Sequence, residues 1–189
     1  TSACEKEKIL EPEIIGDYMP LGKGSKWRHI VEMQDNGKTE KYEAELYATW
    51  TERVRGLEYR ELDLMMVIAA GIKYRAEEEM LFGEGGSMLL RSEGDIVTGV
   101  DEDQEYIILQ PPFETGTKWE VSSDDETIIW GEILAKEDVF VPAGEFRDCL
   151  KVRYTTQDAD DKRLRDEYAL LWLAPNVGLV KLEAQTDNL

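Results

Sequence analysis

The chain has 189 residues, 42% of them hydrophobic, which is enough to bury a sizeable core as one soluble globular unit. Its 22 Lys and Arg face 41 Asp and Glu, and the resulting net charge of −19 argues against nucleic acid and anionic lipid head groups as partners. The longest apolar run, Leu64 to Ile72, is only about half the length a helix needs to cross a bilayer.

Thr1 to Ile15, charged and short of core residues, reads as a leader or tether ahead of a single domain over 16–189. Then the octapeptide PLGKGSKW, Pro20 to Trp27, returns later as PFETGTKW, Pro112 to Trp119. In both, proline fixes φ ahead of a strand, glycine permits a turn, and tryptophan offers a broad apolar plate. Lys26 to Met33 leads as a strand into Asn36-Gly37, a pair suited to a tight hairpin. From Lys41 to Trp50 the residues alternate, with Tyr42, Ala44, Leu46, Ala48 and Trp50 on one face and Glu43, Glu45, Tyr47 and Thr49 on the other. Glu52 to Val67 is the best candidate for a helix, and Leu64 to Ile72 reads as a buried strand or strand pair.

Glycines at 71, 83, 85, 86, 94 and 99 punctuate strands near Ile72 to Leu81, Ser87 to Arg91 and Tyr106 to Leu109. Beyond Pro112, strands are expected at Trp119 to Ser122, Thr127 to Ala135, Val139 to Val141, Leu150 to Thr155, Glu167 to Leu173 and Leu179 to Glu183. The expected fold is all-β and mainly antiparallel, a strongly curved sheet or open half-barrel with at most short helices. It is built as a pseudo-repeat of two halves, roughly 16–110 and 111–189.

Few residues invite chemistry. His29 is the sole histidine and shares a strand face with Trp27, Val31 and Met33, so it reads as a core or edge histidine rather than a catalytic base. One histidine and two distant cysteines do not make a zinc site. The acidic clusters Asp101 to Glu105, Ser122 to Glu126 and Asp158 to Asp161 lack the spacing of a calcium loop and read as solvated turns. Phe82 to Gly86 lacks the lysine of a phosphate loop. No cofactor and no catalytic or metal-binding residue is expected, and the chain is not expected to be an enzyme. Cys4 and Cys149 leave open a disulfide, an anchor at Cys4 beside a free thiol, or two unrelated thiols. Trp27 and Trp119 read as core plates; the competing reading places them, with Trp50 and Trp130, on the face that holds a ligand.

Three segments carry a resemblance: YMPLGKGSKW at Tyr18 to Trp27, FVPAGEFRDCLKV at Phe140 to Val152, and LWLAPNVGLVKLE at Leu171 to Glu183. They resemble a family of bacterial exported proteins of uncharacterised function, many of them lipoproteins. Thr1-Ser2-Ala3-Cys4 is similar to the end of a lipobox, although threonine stands where leucine is usual; Cys4 would then be the anchor and Glu5 to Glu13 a tether. The resemblance implies a periplasmic or outer-membrane-anchored β protein, touching the membrane only through its lipid and similar to the open barrels of the carriers LolA and LolB. The function expected is non-catalytic binding of a lipid or other apolar ligand, or of a partner protein, on a curved sheet. The alternatives are a structural or assembly subunit of an envelope complex and, behind it, a hydrolase using two carboxylates.

Overall fold

Both copies of the octapeptide open an antiparallel sheet. The structure, a computed structural model, describes residues 18–35, 38–68, 72–75, 87–101 and 104–185. The first sheet comprises β1 (Lys26–Asp35), β2 (Lys38–Val54), β3 (Leu57–Ile68), β4 (Ile72–Arg75), β5 (Ser87–Glu93), β6 (Ile96–Asp101) and β7 (Gln104–Leu109). The second comprises β8 (Lys118–Ser123), β9 (Thr127–Val141), β10 (Gly144–Asp158), β11 (Leu164–Ala174) and β12 (Gly178–Gln185). The strand orders are β1-β2-β3-β5-β6-β7, with β4 paired beside β3, and β12-β11-β10-β9-β8. Most pairs are sequence neighbours, as short turns require of antiparallel strands. No helix occurs among the described residues.

The sheets bury a common core. Leu46, Leu90 and Leu109 from the first sheet and Ile133, Leu150 and Val152 from the second are all at most 2% exposed and belong to one apolar cluster. Each such side chain contributes roughly 1.5–3 kcal/mol on leaving water, which makes this shared interior the main cohesive force between the sheets. Leu46 and Ala48 enter it from one face of β2 while exposed Glu43 lies on the other, so the period-two pattern between Lys41 and Trp50 acts as a register device.

A strongly curved sheet or open half-barrel does not form. No ladder joins β7 to β8 or β1 to β12, so two separate open sheets, each keeping both edges, close over one interior. The break falls in Gln110 to Thr117, where Pro111 and Pro112 have no N–H to continue a ladder. Alternation marks a face as buried without saying whether its cover is the same sheet curling back or a second sheet.

The helix expected at Glu52 to Val67 is also replaced. Those residues are the end of β2 and most of β3, joined by Arg55 (φ 52°) and Gly56 (φ 83°), whose paired positive φ angles suit a two-residue hairpin. Leu64 to Ile68 continue β3, and Ile72 starts β4, which pairs back onto it. The Asn36-Gly37 turn, the glycines at 71, 83, 85 and 86, the leader over 1–15 and Cys4 lie outside the described residues.

Candidate functional site

The two octapeptides fold alike bond for bond. In the first, Gly24 N–H donates to the Ala48 carbonyl (3.1 Å), Ala48 N–H donates to Ser25 (2.9 Å), and Ser25 N–H donates to Gly22 (2.9 Å). In the second, Gly116 N–H donates to Ile133 (2.8 Å), Ile133 N–H to Thr117 (2.9 Å), and Thr117 N–H to Glu114 (3.0 Å). Gly24 and Gly116 adopt φ of 85° and 91°, a left-handed turn that glycine enters without steric cost. Each corner is thereby clipped to the second strand of its own sheet, and its tryptophan is delivered inward as the second residue of the strand that follows.

Those tryptophans sit at opposite seams between the sheets. Trp119, 4% exposed on β8, donates its indole N–H to the Ile107 carbonyl of β7 (2.9 Å) and meets Tyr154 edge to face, with ring centroids 6.4 Å apart. The Tyr154 hydroxyl donates to the neighbouring Ile108 carbonyl (2.7 Å), and burial pushes its pKa up. Trp27, 9% exposed on β1, donates its indole N–H to the Val177 carbonyl in the turn between β11 and β12. Both rings lie on glycine. A Cβ on Gly131 would stand 2.4 Å from the Trp119 ring, and one on Gly178 2.9 Å from Trp27 Nε1. Neither indole face is presented to solvent as a stacking platform.

The other aromatic candidates separate. Trp130 is half-buried on the opposite face of β9 from Ile129 and Gly131. It donates to the Gln157 side chain (3.0 Å) and carries the Lys118 ammonium 5.0 Å from its ring centroid. Trp50 lies in β2, and its side chain falls outside the described residues. Trp172, which the pattern did not single out, is 3% exposed in a second small apolar cluster with Val139, Cys149 and Ala174. Its indole donates to Glu137 (2.6 Å), and Lys151 and Lys181, its register partners on both neighbouring strands, stand 4.7 and 4.3 Å from its centroid. Continuous apolarity over Leu170 to Ala174 was the available signal, since a strand apolar on both faces is covered on both.

Polar groups are tied into the framework. Glu45, 2% exposed, accepts from Lys26 (2.7 Å), Arg28 (2.9 Å) and the Tyr47 hydroxyl, which raises the pKa of Lys26 chiefly through that hydrogen bond. In the acidic turns, Asp124 accepts the backbone N–H groups of Thr127 (2.7 Å) and Glu126 (2.8 Å), which lower its pKa. Asp158 holds Arg165 (2.8 Å) and Arg163 (3.3 Å), and its pKa is lowered chiefly by the former. No group of three or more His, Cys, Asp or Glu is placed to hold a metal ion among the described residues. Cys149 is fully buried, its Sγ 3.5 Å from the Phe146 carbonyl, and burial pushes its pKa up to about 11, so the reactive thiolate is suppressed.

His29 Nε2 is shut off from water with no hydrogen-bond partner, and burial lowers its pKa. The ring is held neutral. Because its folded pKa lies below the unfolded one, its stabilising contribution is complete above about pH 6.5 and is lost as the pH falls through the folded value. Between about pH 7.5 and about pH 5 the native chain should therefore lose stability relative to His29→Leu, read from urea midpoints. Parallel pH profiles for the two proteins would contradict a buried neutral imidazole.

The architecture defines an all-β protein of two antiparallel sheets closed by paired tryptophan corners. Its fold is shared with a protein from Bacteroides fragilis described as exported and of YmcC-like fold, at a TM-score of 0.52 and 17% identity, covering 90% of this chain and 92% of that one. It is also shared with a protein from Parabacteroides distasonis described as a lipoprotein, at a TM-score of 0.50 and 18% identity, covering 89% and 91%. A family described as DUF3108-like matches residues 121–188, a span that holds two of the three resemblance-bearing segments, Phe140 to Val152 and Leu171 to Glu183. No curated protein matches the sequence.

Proposed function

We propose that the chain is a non-catalytic, exported protein of the bacterial envelope that works through its outer surface, as a subunit holding a partner protein. The observation that carries this reading is an interior filled by side chains of the described residues. Both corner tryptophans and the leucines of the two sheets occupy the space between the sheets, and the crevice lined by Tyr18, Val97, Leu109 and Phe113 has a volume of about 10 Å³. That is room for about one water, far below the several hundred Å³ of an ordinary ligand pocket. The descriptions of the two structural neighbours as exported and as a lipoprotein support the location, and Ala3-Cys4 supports attachment through a lipid on Cys4. The charge of −19 suits a partner whose contact face is basic.

Photo-crosslinking in intact envelopes of the native host, followed by mass spectrometry, should recover one recurring protein neighbour. Native mass spectrometry of the purified chain should show no non-covalent lipid-sized adduct. A bound lipid together with no recurring neighbour would overturn the proposal.

A further inference from the structure

We propose that the two sheets form a hinged clasp in which Trp27 is the latch. The seams on either side of the shared core are built unequally. At the β7–β8 seam the chain itself connects the sheets, and two side chains of the second sheet, Trp119 and Tyr154, bond to the adjacent carbonyls of Ile107 and Ile108 at 2.9 and 2.7 Å. Tyr18 and Phe113 stack edge to face there as well, with centroids 5.2 Å apart. Among the described residues no chain segment crosses at the β1–β12 seam, and one hydrogen bond, from the Trp27 indole to Val177, ties β1 to the far sheet.

The acceptor at this second seam belongs to a turn residue that is 37% exposed, so water can take the indole's place. The Trp27 ring rests on Gly178 as the Trp119 ring rests on Gly131, so the corners differ in their bonds to the far sheet and not in the glycine beneath them. Withdrawal of the Trp27 ring together with this bond uncovers the inner faces beside the already unpaired edges of β1 and β12, while the β7–β8 seam stays shut as the hinge. Such a sub-global opening draws on the least supported part of the structure, where local opening is expected to start. The corner repeat thus supplies one tryptophan to the hinge and its counterpart to the latch.

Trp27→Phe keeps an aromatic plate and removes the N–H. Hydrogen exchange read by mass spectrometry should then speed up about tenfold, the equivalent of one net hydrogen bond, in peptides covering Lys26 to Ile30 and Leu179 to Glu183. Peptides of β10 should be unchanged. Trp119→Phe should instead accelerate exchange across both sheets together. Acceleration spread evenly over both sheets in Trp27→Phe, or no change at β1 and β12, would overturn the latch. If that variant does not fold, the unmodified protein decides: in low urea the β1 and β12 peptides should exchange with a weaker denaturant dependence than β10, and equal dependence would overturn it.

Discussion

Replacing Trp119 with alanine should destabilise the protein by about 3–5 kcal/mol, the usual range for removing a buried indole. Three losses coincide at this position. The ring is 4% exposed within the common core, its N–H satisfies the Ile107 carbonyl, and its edge meets Tyr154. Trp119, Gly131 and Tyr154 are register neighbours across β8, β9 and β10, so the void left over Gly131 has a floor held by ladders on both sides and cannot collapse easily. Since a domain of this size is stable by only about 5–15 kcal/mol, urea denaturation followed by far-UV circular dichroism should show a midpoint shifted far toward zero. Trp130→Ala is the control. That ring is half-buried on the outer face, and its loss should cost on the order of 1 kcal/mol. Equal costs at the two positions would mean that the corner tryptophans have no special place in the fold.

Gly131→Ala should destabilise by about 1–3 kcal/mol although it adds a single methyl group. The added Cβ would fall 2.4 Å from both Cε2 and Cζ2 of Trp119. These are mid-ring atoms of a side chain buried and bonded at its far end, so the ring cannot swing aside without surrendering Ile107. The two substitutions are therefore coupled. In the Trp119→Ala background the added methyl occupies vacated space, and Gly131→Ala should become nearly neutral or stabilising, giving an interaction energy of roughly 1–3 kcal/mol in a double-mutant cycle. Simple additivity would show that the glycine is not there to admit the indole. A milder version is expected at Gly99, where an added Cβ would meet the half-buried ring of Tyr106 at 2.3 Å.

What could be read before the structure is what local physics encodes. Alternation over Lys41 to Trp50 placed Leu46 and Ala48 inward, and the repeated Pro, Gly and Trp marked the corners whose hydrogen bonds coincide. The partition into two sheets was hidden, because periodicity names a buried face and not its cover. Pro111 and Pro112 were the residues that could have shown the break. The Glu52 to Val67 stretch misled because its turn uses Arg55 in a positive-φ position that sequence seldom advertises. Glu45 was placed on the polar face of β2, yet it is buried there by its own strand's Tyr47 and by Lys26 and Arg28 of β1, and the latter two are contacts between strands that no single-strand pattern contains. Trp130 stands on an outer face and Trp27 and Trp119 in the core, so tryptophan content alone could not define a ligand-facing surface.

Two open sheets share one interior through their tryptophan corners. Differential scanning calorimetry tests this most directly, because a shared core must melt as one unit. A single endotherm whose calorimetric and van't Hoff enthalpies agree is expected, and a single endotherm again, at lower temperature, for Trp119→Ala. Two resolved transitions, or survival of one sheet's melting in that variant, would contradict it.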